Sequence, residues 1–141
     1  MSNDTDLASV YSRRLRELAA KVRADKRLVS AKMSVTRTSR SCGSSVTLDI
    51  CRDGDTITAL GWRTRACTLG MAATAIVIDQ AQGRRFCDVV AVAERLRLLL
   101  AGGDEEIPPP WNDLMVFSAA RDLTARHGSI MLPFEALIHA S

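Results

Sequence analysis

The sequence predicts an α+β fold: an N-terminal helix, a three-stranded antiparallel sheet, and then about four helices packed on one face of that sheet. Two observations carry this prediction. Apolar residues recur at every second position only between residues 29 and 64, and they recur at helical spacing before and after that region. The chain has 141 residues, 47% of them apolar and 25% charged, which is typical of a single globular domain spanning residues 1–141.

The first predicted element is an amphipathic helix of about twenty residues, capped by Asp4 or Asp6. The first forty residues hold ten Lys and Arg against four Asp and Glu, an asymmetry that can indicate nucleic-acid binding. Here the basic residues alternate with an apolar stripe, so we interpret them as the solvated face of the helix. The stripe consists of Leu7, Val10, Tyr11, Leu15, Leu18, Ala19 and Val22.

Three strands are predicted after this helix. The first covers residues 29–38, and a loop rich in Ser and Gly, residues 39–44, leads into the second. The Asp53-Gly54 dipeptide predicts the turn of a hairpin, whose second arm is residues 56–64. The alternating residues are Val29, Ala31, Met33 and Val35 in the first strand, Val46, Leu48 and Ile50 in the second, and Ile57, Ala59 and Gly61 in the third.

The chain after residue 66 has helical periodicity. Helices are predicted over residues 69–82, 88–101 and 112–126, with a last one near residues 133–139, and glycines and a Pro-Pro-Pro connector separate them. The longest strongly apolar stretch, residues 69–78, is about half the roughly 20 residues that a membrane-spanning helix needs. The N-terminus also lacks the pattern of a signal peptide. We therefore expect a cytoplasmic protein that does not bind membranes.

The chain contains four cysteines, and a domain of this size needs no disulfides, so we expect reduced thiols. Cys67 follows a predicted strand and precedes a predicted helix. Its sulfur should therefore lie near the positive end of a helix dipole, which favours the thiolate that binds metals or acts as a nucleophile. Cys42 lies in the Ser/Gly loop at the mouth of the hairpin. Cys51 and Cys87 are interpreted as packing residues.

Two parts of the chain carry a family resemblance. Residues 42–50 begin with Cys42-Gly43-Ser44, and residues 65–70, Arg-Ala-Cys-Thr-Leu-Gly, place the second cysteine 25 positions after the first. Residues 125–137 follow the Pro-Pro-Pro segment and lead into the last helix. Together these segments resemble the iron-sulfur cluster assembly scaffolds of the IscU, NifU N-terminal and SufU type. The resemblance covers residues 30–140 and implies the same α+β fold.

The resemblance also implies a set of ligand positions. In that family three cysteines and one Asp surround the cluster or zinc site. Matched position by position, the first cysteine is Cys42, the Asp position holds Ser44, the second cysteine is Cys67, and the third cysteine position holds Ser129. A serine hydroxyl is a poor donor for soft metals, so the resemblance leaves Cys42 and Cys67 as the two thiolate ligands.

His127 is a further candidate ligand, because it lies close to the third position and histidine replaces cysteine in some iron-sulfur centres. Alternatively, His127 lies in the last turn of its helix and Gly128 ends that helix. Ser44 and Ser129 have an alternative role as partners of backbone donors in their loops. A homodimer would also complete the set, since two copies of Cys42 and Cys67 supply four thiolates for one [2Fe-2S] cluster.

The resemblance implies a scaffold, not an enzyme, that binds iron, sulfide or persulfide sulfur transiently through Cys42 and Cys67, as a [2Fe-2S] cluster or with zinc. The implied partners are a cysteine desulfurase and acceptor apoproteins. Two alternatives stay open: a metal-free interaction or regulatory module that kept the fold, and a zinc-dependent sulfur-transfer protein. The sequence contains no Gly-x-Ser-x-Gly, phosphate-loop or His-Glu-x-x-His motif, so it does not indicate a hydrolase.

Overall fold

The computed structural model describes the backbone of residues 3–141 and the side chains of residues 10–141, and it confirms the predicted α+β architecture. Two 3-10 helices, Asn112–Ala120 and Thr124–Arg126, lie between the third and fourth α-helices. Within the described range, no helix is both long and apolar enough to cross a membrane. The remaining elements are α1 Asn3–Ala20, β1 Met33–Thr38, β2 Ser45–Asp53, β3 Thr56–Arg65, α2 Thr68–Ala81, α3 Phe86–Leu100 and α4 His127–Ala140.

The hydrophobic core lies between one face of the sheet and the helices. β2 is the central strand, paired antiparallel with β1 on one side and β3 on the other. Its inward residues Val46, Leu48 and Ile50 are buried, as predicted, beneath α4, while α2 packs on α4 and on α1. The apolar stripe of α1 is buried from Leu15 onward, but Val10 is 60% exposed; Leu7 lies outside the described side chains.

The structure corrects two predictions near the N-terminus. α1 begins at Asn3, so Asp4 and Asp6 lie within its first turn and neither is the cap. β1 begins at Met33 and not at residue 29, and Val29 is fully exposed. The chain before β1 is already paired elsewhere, because the backbone of Lys26 exchanges two hydrogen bonds with Trp62 in β3, of 2.7 and 3.0 Å. This crossing segment, residues 26–28, therefore passes over the outer face of the sheet, the face away from the core, before β1 starts.

A β-bulge corrects the predicted alternation of the third strand. The pairing of β2 with β3 shifts between Cys51 and Arg52, which leaves Thr58 without a residue opposite it. One extra residue moves every later side chain to the other face of the sheet. Besides Ile57, the core face therefore carries Leu60, Trp62 and Thr64, and the predicted inward residues Ala59 and Gly61 lie on the outer face.

Three predictions about the C-terminal half also need correction. The helix predicted over residues 112–126 is two 3-10 helices separated by a turn. The last helix starts at His127, so His127 opens α4 and does not lie in the last turn of a helix that Gly128 ends. Cys87, interpreted as a packing residue, is exposed on α3. Cys51 lies half-buried on the outer sheet face, out of phase with Ile50, as predicted.

Asp49 ties the crossing segment to the sheet. Its side chain is 1% exposed on the outer face of β2. One carboxylate oxygen accepts hydrogen bonds from Arg27 Nε at 2.7 Å and the Leu28 N–H at 3.0 Å, and the other accepts from Arg27 Nη2 at 2.9 Å and Ser34 Oγ at 2.6 Å. The Arg27 hydrogen bonds, helped by Ser34 and Leu28, hold the pKa of Asp49 well below its usual range.

We expect Asp49→Asn to lower the free energy of unfolding at pH 7 by about 2 kcal/mol. The new side-chain nitrogen would face hydrogen-bond donors, and the charge-assisted hydrogen bonds of the carboxylate would be lost. A carboxylate with a lowered pKa stabilises the fold above its ordinary pKa of about 4 and loses that contribution as the pH falls below it. The difference in the free energy of unfolding between wild type and variant should therefore become smaller at acidic pH. Urea unfolding between pH 3 and 7 measures it, with the exposed Asp53→Asn as control; a pH-independent difference would contradict the assignment.

Candidate functional site

Four residues that the sequence singled out come together at one end of the sheet. Cys42 lies in the loop before β2, which turns tightly because Gly43 adopts a positive φ of 72° and Ser39 and Ser44 are joined by a 2.8 Å backbone hydrogen bond. Cys67 is the N-cap residue of α2, and Ser129 lies in the first turn of α4. The N-termini of two helices therefore point at the same cluster, and their dipoles favour negative charge there.

Cys42 is surrounded by serine hydroxyls. Its sulfur lies 3.1 Å from Ser129 Oγ, 3.4 Å from Ser44 Oγ and 3.5 Å from Ser39 Oγ. All three serines are buried, and Ser129 is fully so. Towards Ser39 and Ser44 the geometry makes the thiol the donor, whereas the Ser129 hydroxyl can donate to the sulfur and so stabilise a thiolate. The arrangement therefore stabilises the ionised form of Cys42.

Hydrogen bonds with serine hydroxyls lower the pKa of Cys42. The hydrogen bond of Ser129 contributes most, followed by those of Ser39 and Ser44, and together they bring the pKa of this thiol to about 6. At neutral pH Cys42 is then mainly a thiolate, the form of cysteine that binds metals and attacks sulfur.

We expect alkylation of Cys42 by iodoacetamide to reach half its maximal rate near pH 6, because the rate follows the thiolate fraction. Ser129→Ala should move this midpoint to higher pH, since it removes the hydroxyl 3.1 Å from the sulfur. Peptide-resolved mass spectrometry measures the rate at Cys42 alone, and Ser12→Ala, which changes an exposed serine on α1, serves as control. A wild-type midpoint near the ordinary thiol pKa of about 8.5 would contradict the geometry.

Cys67 belongs to the same network. Its backbone N–H donates at 3.3 Å to Ser44 Oγ, the same oxygen that the Cys42 thiol contacts. Burial opposes ionisation of the Cys67 thiol. The backbone N–H groups at the start of α2 outweigh burial, together with the side chains of Ser129 and Arg126, and hold the pKa of Cys67 below its ordinary value. Ser129 is thus the hydroxyl shared by both thiols.

Two glycines let the elements of the site approach one another. A Cβ at Gly70 would lie 3.3 Å from the Ser129 carbonyl oxygen and 3.4 Å from its Oγ, and a Cβ at Gly128 would lie 2.9 Å from Ser39 Oγ. Sequence reasoning missed both positions, and it also missed Ser39 and Arg126. The glycines next to the candidate residues were the signal that could have indicated a close approach.

His127 is not brought to this cluster. Its Nε2 lies 2.9 Å from the carbonyl oxygen of Ala120, and its ring lines a separate cavity with Glu135 and Arg97. Across the described residues, no three His, Cys, Asp or Glu side chains are placed to hold a metal ion together. The structure therefore joins Cys42, Ser44, Cys67 and Ser129, and it leaves the fifth predicted site residue outside.

The donor set has a clear chemical character. Two half-buried thiols are the soft donors, and the hydroxyls around Cys42 are neutral groups that coordinate soft metals poorly. A closed tetrahedral zinc site or a [2Fe-2S] cluster needs four ligands. Cys42 and Cys67 of one chain therefore supply half of the thiolates that such a site would need. The residues therefore fit cargo that is bound incompletely or shared, and they do not fit a resident closed metal site.

Comparison with known proteins finds similarity in structure. No family model matches the sequence, and no curated protein matches it. The N-terminal part of a nitrogen-fixing NifU-like protein from Brucella abortus superposes with a TM-score of 0.80 at 26% identity, over 92% of this chain and 90% of that one. A proposed iron-sulfur cluster assembly scaffold of the SUF system from Fervidobacterium islandicum AW-1 superposes with a TM-score of 0.81 at 20% identity, over 93% and 96%.

Proposed function

We propose that this chain, whose fold is that of the IscU, NifU N-terminal and SufU scaffolds, is a scaffold-like protein of iron-sulfur cluster assembly that holds iron and sulfide transiently through Cys42 and Cys67. The observation that carries the proposal is the meeting of these two thiols beside Ser129, each among groups that favour the thiolate. Thiolates are the protein ligands of iron-sulfur clusters. The chain acts as a carrier, and no acid-base step is assigned to it.

The ligand count favours a shared or incomplete site. Two chains related by a two-fold axis would supply four thiolates, enough for one [2Fe-2S] cluster held as cargo between them. Ser129 would then remain a hydrogen-bond donor to sulfur. His127 would have to leave the Ala120 carbonyl before it could act as a ligand. A carrier has to release its cargo, and weak ligation by each chain is compatible with that task.

The proposed role implies two kinds of partner. A cysteine desulfurase would supply sulfur, and acceptor apoproteins would take the cargo. The positive ends of two helices, with exposed Arg126 beside Cys67 and exposed Arg40 in the loop that carries Cys42, would attract anionic sulfur species and acidic surfaces to this end of the molecule. The proposal includes no nucleic-acid or membrane partner.

Anaerobic reconstitution with ferrous iron and sulfide tests the proposal. The wild-type chain should retain about one iron and one sulfide per chain, the content of a [2Fe-2S] cluster shared by two copies. Cys42→Ala and Cys67→Ala should each fall to background, while the exposed Cys87→Ala should bind like wild type.

Two outcomes would contradict the proposal or part of it. Wild-type protein that holds no more iron or zinc than the two alanine variants would favour the metal-free interaction module instead. A reconstituted protein that sediments as a monomer while it retains iron and sulfide would exclude sharing between two copies.

A further inference from the structure

We propose that the free edge of β1 is a docking surface for an extended, acidic peptide segment of a partner protein, which would add to the sheet as a fourth strand. This surface includes neither thiol of the candidate site, so it is independent of the proposed function. It is characterised by an unpaired row of backbone groups, by positive charge, and by exposed apolar side chains at one end of the strand.

β1 has a partner strand on one side only. Among the residues that the structure describes, no other strand pairs with its second edge. The backbone N–H of Ser39 donates to the Ser44 carbonyl at 2.8 Å, in register with the pairing of β1 and β2, so these two residues are a hydrogen-bonded pair. Bonded and non-bonded pairs alternate in an antiparallel ladder. The backbone N–H and C=O groups of Ser34, Thr36 and Thr38 therefore point to the free edge.

The free edge lacks the usual structural protection against pairing. Unpaired sheet edges are commonly protected by a bulge, by a proline or by a very short strand. β1 is six residues long, contains no proline and pairs with β2 in unbroken register. At its N-terminal end Met33 is 40% exposed, and Val29, four residues earlier, is fully exposed. These apolar side chains are removed from water only when a partner covers them.

The charge of this edge indicates which partner it accepts. Residues 26–48 contain five Lys and Arg and no Asp or Glu. Lys32, Arg37 and Arg40 are exposed, and none of them forms an ion pair with a carboxylate among the described side chains. A second copy of the chain would bring the same charges to the edge and be repelled, whereas an acidic strand would be attracted.

A peptide strand fits this edge better than a nucleic acid. A row of N–H donors and C=O acceptors is complementary to another extended backbone, which is how added strands bind at sheet edges. Residues 26–48 contain no aromatic side chain on which bases could stack. β1 also leads directly into the loop that carries Cys42, so a docked strand would hold its protein close to the candidate site.

Amide hydrogen exchange of the full, metal-free chain tests the surface. The probe is a capped peptide of alternating Glu and Val, long enough to span β1, and NMR follows each amide as the peptide is added. The N–H groups of Ser34, Thr36 and Thr38 should exchange at least about ten-fold more slowly with saturating peptide, because they become hydrogen-bonded. A peptide of alternating Lys and Val is the matched control and should leave these rates unchanged.

Two variants locate the peptide on the edge. Thr36→Pro removes an outward N–H and no hydrogen bond to β2, so the fold should persist while peptide affinity falls about five-fold. Arg37→Glu should lower the affinity by a similar factor, and it tests the surface even if the proline variant does not fold. Arg16→Glu, at an exposed position on α1, is the control and should bind the peptide like wild type.

Three results would overturn the proposal. The first is exchange rates that respond to neither peptide or to both alike. The second is protection of the same amides that rises with protein concentration without peptide, which would assign the edge to a second copy. The third is slower exchange with a single-stranded oligonucleotide in place of the peptide, which would assign it to nucleic acid. Iron and sulfide binding on reconstitution can fail while the peptide binds, and the reverse, so the two proposals are tested separately.

Discussion

Ser129→Cys is expected to raise the affinity of the chain for Co²⁺ and Zn²⁺ by at least about ten-fold. Ser129 Oγ lies 3.1 Å from the Cys42 sulfur and also lowers the pKa of Cys67, so a thiol there would form a third soft ligand on the same side of the site. Loss of a mere hydrogen-bond partner of a metal ligand changes affinity about 10–100-fold, and a new ligand should do no less.

Titration with Co²⁺ measures this gain, because tetrahedral thiolate coordination produces visible and near-ultraviolet absorption bands. Competition with a chelator then ranks the Zn²⁺ affinities of the variants. Ser12→Cys, which adds an exposed thiol on α1, is the control and should bind like wild type. Unchanged affinity in Ser129→Cys would mean that the three positions cannot converge on one ion, and would weaken the comparison of this site with three-cysteine scaffolds.

Gly61→Ala is expected to lower the free energy of unfolding by about 3 kcal/mol, the upper end of the usual cost of overpacking. A Cβ at this position would lie 2.7 Å from the Lys26 carbonyl oxygen and 2.8 Å from the Leu28 nitrogen. Both are backbone atoms, so no rotamer change relieves the contact. The crossing segment would have to move away from β3.

Urea denaturation measures this loss, and Arg63→Ala, an exposed position on the same strand, should change stability by less than about 0.5 kcal/mol. Displacement of the crossing segment would also weaken the hydrogen bond from the Leu28 N–H to Asp49. The combined variant Gly61→Ala with Asp49→Asn should therefore lose less than the sum of the single losses. Full additivity, or a stable Gly61→Ala variant, would contradict the close approach.

The main elements could be predicted because each has a local periodicity. The alternation of Val46, Leu48 and Ile50 indicated a strand with one buried face, and all three are buried. Periodicity predicted the strands wrongly where their start or their inward face depends on pairing between residues distant in sequence. The bulge at Thr58 depends on how β3 meets β2, and the late start of β1 depends on the pairing of Lys26 with Trp62. Neither pairing can be recognised from the neighbouring residues in the sequence.

The candidate site was likewise predictable only in part from the sequence. The position of Cys67 before a helix is local information, and the structure places it at the N-terminus of α2 as predicted. The predicted place of His127 beside the thiols rested on closeness in sequence to Ser129. On a helix, residues two apart point to different sides, and the His127 ring turns to the Ala120 carbonyl instead.

Residue types and spacing alone determine that this chain is an α+β protein with two cysteines at a loop and a helix start, and the resemblance to the scaffold family implies that serines stand at two ligand positions. Only the tertiary structure decides what those serines do. Ser39 and Ser44 come from one loop and Ser129 from α4, and their hydroxyls meet at one sulfur because Gly70 and Gly128 let two helices and a loop pack closely. Convergence of this kind depends on distances across the fold, which a linear pattern of residues does not contain.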